Sequence, residues 1–412
     1  GLSWTRQSRT KSSFCTGGRR RNGGDFQRST DPWVTIAPNG DAYLMTLSLN
    51  GIGADHGMLI RKLDASTGRW RRARTLVREN KESVLNDKNS VTADPNEADG
   101  SHVYAVWDRL LTESEGQEPV FGFTGPAMFS RTIDGGETWS APVKIYDTGS
   151  TAQTLGNQIL VSPNLGDGTN EGQLINLSSF IVSLRGRREV SVIRSFDQGA
   201  TWSRPIKVAD EETVGTRDPD PDAEQERDSI RTGSLIPDGA VDRTTGTVYV
   251  VWQDARFNGS DYDGIVFSRS VDGGAKWSDP IEINKTPDSV PSLNRQAFTP
   301  SVAVAPDGTI AVTYYDFRNN DTSEHARLET DHWVVHCHPT VQAPCEDPDD
   351  WSESGPIGRS FNMKAAPYAR GYFVGDYMEV APVGVNDFLT FFSRARTDRD
   401  PSTVYSSLIT LP

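Results

Sequence analysis

Arginines, aspartates and a few histidines and tyrosines stand where β-rich segments end, and acid–base or anion-binding chemistry would be built from these residue types. Three segments end alike: Val106-Trp107-Asp108-Arg109, Val251-Trp252-Gln253-Asp254-Ala255-Arg256 and Tyr314-Tyr315-Asp316-Phe317-Arg318. A guanidinium fork grips a carboxylate at two points, so arginines gathered on one face of an otherwise acidic protein point to a carboxylate-bearing ligand. The stretches that lead into the β-rich segments add Arg28 and Asp31, Asn86-Asp87-Lys88, Gln158, Arg227 and Arg231, Arg295-Gln296, and Asp376-Tyr377. His56 falls in an excursion from Gly51 to Gly57 whose glycines suit a tight loop beside a ligand. An Asp–Arg pair is equally a brace between neighbouring sheets, and for any single pair the two readings weigh the same.

The elements that must position these residues repeat along the chain. Thr132-Ile133-Asp134-Gly135-Gly136-Glu137-Thr138-Trp139, Ser195-Phe196-Asp197-Gln198-Gly199-Ala200-Thr201-Trp202 and Ser270-Val271-Asp272-Gly273-Gly274-Ala275-Lys276-Trp277 share one pattern, and Leu63 to Trp70 is a weaker copy. Its residues describe a hairpin turn in which Asp caps backbone N–H groups, Gly supplies positive φ and Trp packs between sheets. That work is structural. Upstream of each turn lies a pair of β-prone segments, such as Val302 to Tyr315 with Asp307-Gly308 between them. Equivalent pairs run Val34 to Leu47, Val91 to Trp107, Ile159 to Phe180, Ala240 to Trp252 and Met378 to Phe392. Six such units are expected, with a seventh left open, and Thr403 to Leu408 supplies only a third strand to the last.

The repeated turn is the Asp-box, and on it the chain resembles the sialidase-like β-propellers. The resemblance implies an all-β fold, a six-bladed propeller of four-stranded antiparallel blades, whose pocket opens on the face opposite the Asp-boxes. In a retaining sialidase a Phe-Arg-Ile-Pro segment comes first; this chain has Asp25-Phe26-Gln27-Arg28, with Tyr377 for the family's tyrosine and Asp31 for its acid. The general plan also resembles the propeller-type polysaccharide lyases, including those that act like rhamnose-glucuronate lyase on gum arabic. Removing the C5 proton of a uronate requires a neutralised carboxylate and a nearby base and acid, without two carboxylates at hydrolase spacing. On that reading Arg231, aided by Arg109 or Arg318, holds the carboxylate, His56 exchanges the proton and Tyr377 is the alternative acid or base. Arg28, Asp31, Asp87, Lys88, Gln158, Tyr315 and Asp316 would bind the substrate. The expected function is a polysaccharide lyase on an anionic glycan, with an exo-sialidase type of glycoside hydrolase as the alternative and a non-catalytic, carbohydrate-binding propeller third.

Composition bounds the rest. A formal charge of −14 over 412 residues argues against nucleic acid as a partner, and no apolar run reaches the roughly 18 residues of a membrane span. The basic run Arg19-Arg20-Arg21 reads as a solvated tail. Residues 1–25 are taken as an N-terminal segment partly closing the ring, and 26–412 as a single propeller domain, expected to be a secreted, extracellular monomer. Of three cysteines, Cys337 and Cys345 are close enough to bridge a hairpin as a disulfide, leaving Cys15 odd. Asn176, Asn258, Asn284 and Asn320 head glycosylation tripeptides. His102, His336 and His338 read as structural. No cofactor is required by the chemistry; a structural calcium would have to use Asp218-Pro219-Asp220-Pro221-Asp222, whose prolines favour a solvated loop.

Overall fold

Short apolar runs separated by Asn-Gly and Asp-Gly turns make antiparallel hairpins, and hairpins fill the computed structural model, which describes residues 8–51, 55–112, 124–149, 152–182, 187–220, 229–396 and 402–411. Among the described residues there is no α-helix, only short 3-10 turns such as Phe14–Thr16 and Arg20–Asn22. By its internal contacts the chain falls into two units, one running to Lys207 and the other from Val208.

The first unit holds three up-and-down sheets. The first sheet contains Arg28–Ile36, Ala42–Asn50 and Asp55–Asp64, the last pairing with both Arg69–Trp70 and Arg74–Glu79. Val84–Ala93, Val103–Leu111, Ala127–Thr132 and Val143–Tyr146 form the second. The third starts with Gln153–Val161, Leu174–Ile181 and Arg188–Ser195 and ends at the boundary with Ile206–Asp210.

The second unit repeats the plan. Its sheets, the fourth to sixth, begin with the strand pairs Asp238–Val241 and Val248–Asp254, Ala297–Val304 and Ile310–Asp316, and Glu379–Pro382 and Asp387–Arg394. Gly264–Ser270 and Ile281–Glu282 complete the fourth, and Glu329–Cys337 and Ser352–Pro356 extend the fifth. Thr403–Thr410 is the third strand of the sixth, as its sequence suggested. A small additional sheet joins Thr216–Arg217 to Ser229–Arg231, which pairs in parallel with Tyr372–Phe373.

Register fixes which edge of each sheet carries what. In the second sheet Asp87 lies opposite Asp108 and Asp108 opposite Ala127, while Ala93, Val103 and Thr132 align at the other edge, next to the turn at Asp134. The fourth and fifth sheets follow suit, Asp254 pairing with Gly264 and Asp316 with Asp331 at one edge, Val248 with Ser270 and Ile310 with Cys337 at the other. In the second and fourth sheets, therefore, the Asp/Arg strand ends and the tryptophan-bearing turns occupy opposite edges.

The three turns are near-copies in their bonds. Thr132 Oγ1 donates to Asp134 Oδ1 at 2.7 Å and accepts the Gly136 N–H at 2.9 Å, while Asp134 accepts the Thr138 N–H at 2.9 Å. Ser195 with Asp197, and Ser270 with Asp272, repeat this set. At Gly199 the backbone has φ +87° and an added Cβ would lie 2.5 Å from the Phe129 ring, so no other residue fits. Trp202 of the same turn stands edge-on to Phe129 of the preceding sheet, centroids 5.6 Å apart, which is the intersheet packing its position implied. Each unit keeps its own cores: Trp107 with Met45 and Met58 in the first, Phe267 with Trp351 and Tyr314 in the second.

Candidate functional site

The sheet edges away from the tryptophan turns share a feature of the backbone. At the start of the first strand of four sheets the register slips, at Thr30/Trp33, Asp87/Ser90, Leu155/Gln158 and Phe298/Ser301. In each slip one residue is left-handed: Asp31 (φ 49°), Lys88 (φ 45°), Gly156 (φ 72°) and Thr299 (φ 52°). Left-handed backbone strains a residue with a Cβ, a β-branched Thr most of all, and bulges of this kind re-aim side chains beside binding sites. Each is followed by Pro or Asn, in Asp31-Pro32, Lys88-Asn89, Gly156-Asn157 and Thr299-Pro300, a signal present in the sequence that pattern reading passed over.

In the first unit two bulges lock together. Lys88 Nζ lies 3.5 Å from Asp31 Oδ1, and Asn89 Nδ2 donates to the Asp31 carbonyl at 3.0 Å. Asn89 Oδ1 is enclosed, with no hydrogen-bond partner among the described residues. Asp87 accepts the Lys88 N–H, and Gln158 is half-buried on the strand after the third bulge. Beneath them the enclosed Asp108 accepts from Gly156 N, Thr154 Oγ1 and Asn157 Nδ2. Burial pushes its carboxyl well above the usual range. Arg28 is exposed and has no partner among the described residues.

Two expected members of this set have other work. His56 is fully enclosed, and its Nε2 accepts the backbone N–H of Asn86 at 2.9 Å. A backbone amide only donates, so Nε2 carries no proton and the ring is neutral; His56 is a bracing group and not the proton exchanger expected above. Arg109 is committed to Glu79 at 2.8 Å and reaches Asn86 Oδ1 at 3.5 Å, which makes it a brace as well.

In the second unit the strand-end pairs are also closed. Arg318 donates to Asp316 at 2.6 Å and to Glu353 at 3.0 Å, and its guanidinium lies 3.6 Å from the centre of the Trp333 ring with 7% of the side chain exposed. Trp333 Nε1 and Thr286 Oγ1 take the remaining acceptor capacity of Asp316, whose carboxyl is pushed by burial to about 6 against the pull of Arg318. Tyr315 is enclosed and donates to the Ser393 carbonyl at 2.6 Å. Tyr315, Asp316 and Arg318 thus hold sheets together and have no free edge for a substrate. Asp254 and Arg256 form a similar pair, 2.7 Å apart.

Arg231 is different. Its side chain is 36% exposed, spread over Phe373 at 4.2 Å, with one nitrogen 3.2 Å from Asp376. The parallel pairing of Ser229–Arg231 with Tyr372–Phe373 brings it there, and Gly233 lets the chains meet, since a Cβ at that position would lie 2.0 Å from the Asp376 carbonyl. Tyr377 follows Asp376 and is half-buried. The other terminal nitrogen lies 3.4 Å from the Ala369 carbonyl, and aromatic support, one carboxylate and partial exposure suit the guanidinium to a second anion. Residues the sequence reading passed over include Thr299, whose enclosed Oγ1 has no partner among the described residues. Gln253 belongs with it, accepting the Thr299 N–H at 3.0 Å and donating to the buried Asp263 at 3.2 Å.

Of the acidic stretch proposed for calcium, Asp218 and Asp220 face Lys364 Nζ at 2.6 and 3.8 Å, and Asp220 also meets His325 at 2.7 Å, so an ammonium supplies the positive charge. Pro221, Asp222 and Arg227 lie outside the described residues, as does 52–54 of the excursion beside His56. Cys337 and Cys345 are disulfide-bonded and Cys15 is free. Asn176 is fully enclosed with its amide donating to Asn157, which leaves that tripeptide closed to glycosylation in the folded chain.

No protein-family model matches the chain, and no curated protein does. Solved structures do. The chain is similar to an intramolecular trans-sialidase from Ruminococcus gnavus, with TM-score 0.55 and 9% identity over 96% of both chains. It is likewise similar to a leech intramolecular trans-sialidase, with TM-score 0.55 and 10% identity over 96% of this chain and 69% of that one. A Hadza microbial sialidase matches 94% of this chain and 67% of its own, with TM-score 0.53 and 11% identity. The fold is the sialidase-like β-propeller that the repeats implied.

Proposed function

We propose that the chain is an enzyme acting on an anionic glycan, and that it cleaves next to a uronate by β-elimination. The half-exposed Arg231, held from one side by Asp376 and supported by Phe373, carries this reading. Its exposed N–H groups take the uronate carboxylate and stabilise the enolate-like charge that develops when C5 loses its proton. Tyr377, acting as phenolate, takes that proton as base; the electron pair forms the C4–C5 double bond, the C4–O bond breaks, and the phenol so formed passes the same proton to the departing sugar oxygen, which restores the phenolate. Among the described residues, Asp376 is the carboxylate that pairs with Arg231.

The likeness to sialidase structures favours a second reading, in which Arg231 grips a sialic acid carboxylate and Tyr377 attacks the anomeric carbon. Incubation with an arabinogalactan whose uronates carry a rhamnose at O4, the bond that elimination breaks, and with a sialyllactose separates them. Elimination gives rising ultraviolet absorbance from the unsaturated uronate, sialidase action gives free sialic acid without a chromophore, and binding without product ends both readings. For either chemistry Tyr377→Phe is expected to lower kcat by about a hundredfold or more, and Arg231→Lys to raise KM, with the melting temperature held.

A further inference from the structure

The first unit carries another concave surface, away from the bulged strand ends. A groove of roughly 710 Å³ runs beside Trp139 and joins a smaller hollow of roughly 250 Å³. One wall is the turn Arg20–Asn22, the other the segment Arg72 to Leu76. The wall is built in. Asn22 offers its carbonyl to Arg61 at 2.6 Å and to the Ala73 N–H at 3.2 Å, and Gly23, at φ +76°, lets the chains approach where a Cβ would lie 2.8 Å from the Ala73 carbonyl.

The charges here fall into two groups. One group is answered: Lys62 by Asp41, Arg71 by Asp64 and Glu137, Arg78 by Asp55 and Asp25. Arg20, Arg72 and Arg74, all exposed on the groove, are not. Among the described residues no carboxylate pairs with any of them, and Arg74 bonds only the Glu137 carbonyl at 2.9 Å. Three unpaired guanidinium groups side by side repel one another unless an anion joins them, and they do so in a chain of formal charge −14. Trp139 forms the floor. Its indole N–H has no partner among the described residues, as is also so for the enclosed indoles of Trp70 and Trp277, while Trp202 donates to the Gly199 carbonyl at 3.1 Å; of these, Trp139 is the one that lines the groove. A sugar ring lays its C–H face on such an indole and offers a hydroxyl to the N–H, and guanidinium forks bind the carboxylates or sulfates it carries.

We propose that this groove binds a polyanionic polysaccharide chain and holds it apart from the reacting sugar. The choice of a sugar polyanion rests on the glycan reading above; the site itself rests on the arginines and Trp139. Calorimetric titration with polygalacturonate oligomers, with neutral dextran and duplex DNA alongside, tests it on the full chain. The variant Arg20→Ser/Arg72→Ser/Arg74→Ser is expected to bind polygalacturonate at least tenfold more weakly, with an unchanged melting temperature and turnover of a short oligosaccharide bearing a 4-O-rhamnosyl uronate altered less than twofold. Trp139→Phe, which keeps the packing, is expected to weaken binding by a smaller factor. Equal binding by the triple variant, no binding by the unaltered chain, or a preference for dextran or DNA overturns the proposal. Because binding is read without turnover, a chain that binds but releases no product fails only the catalytic reading.

Discussion

Enclosing an imidazole against a backbone amide makes His56 a structural residue with a measurable cost of removal. His56→Ala strands the buried Asn86 N–H, and leaving such a donor unpaired costs about 1–3 kcal/mol. Denaturant titration should show that loss, while turnover by the folded protein stays within about threefold, far short of the roughly hundredfold cost of removing a general base. An intact midpoint with abolished turnover would return His56 to the chemistry. The same contrast explains what could be read in advance. Residue type and position mark Arg231, Tyr377, Asp31 and Lys88 as polar groups near strand ends, where Arg231 and Tyr377 stand half-buried and the Asp31 and Lys88 side chains are mostly enclosed against each other. The sequence does not mark Tyr315, Asp316 and Arg318 as closed, because their partners Ser393, Trp333, Thr286 and Glu353 come from segments whose approach only tertiary packing decides.

Turns and bulges, one step larger, make opposite demands on pH and on backbone. Hydrogen bonds from Thr138 hold the Asp134 carboxyl down at about 2, and those from Thr201 do the same for Asp197. With the folded value depressed, these bonds add stability above the ordinary aspartate range near 4 and lose it as pH falls through about 2. Asp134→Asn should therefore flatten the acid limb of the stability curve between about pH 4 and 2, as followed by tryptophan fluorescence; an unaltered limb would mean the turn does not sense its proton. The bulges carry strain. Thr299→Gly removes the Cβ from a left-handed site and is expected to raise stability by about 1 kcal/mol, and Gly156→Ala to lower it by about 1–2 kcal/mol, both by chemical denaturation. If Thr299→Gly also weakens glycan binding, the strain serves the ligand; if it leaves binding alone, the bulge serves only the sheet. The turns were legible because Asp, Gly and Trp recur at fixed spacing, whereas each bulge rests on a single residue whose type differs at every copy.

At the scale of the whole chain, near-identical repeats hide any seam between them, which is why the sequence reads as one stretch from 26 while the contacts divide at Lys207. Among the described residues, the cores around Phe388, Tyr249, Met45, Phe129 and Phe26 each lie within one unit. The disulfide makes the division testable. It closes a loop with eight residues of sequence separation and fixes Cys345 beside Trp351, whose indole donates to the Cys345 carbonyl at 3.3 Å and whose ring stands edge-on to Phe267 at 4.9 Å. Restricting so short a loop in the unfolded chain is worth roughly 2–3 kcal/mol. Cys337→Ser/Cys345→Ser should therefore reduce amide protection along Val248–Asp254 and Ile310–Asp316, which share that core, while Val103–Leu111 of the first unit keeps its own. Hydrogen exchange followed by mass spectrometry resolves these strands. Equal loss in all three would mean that the two sets of cores open as one cooperative body, since a bond inside one core can unprotect the other only when both unfold together.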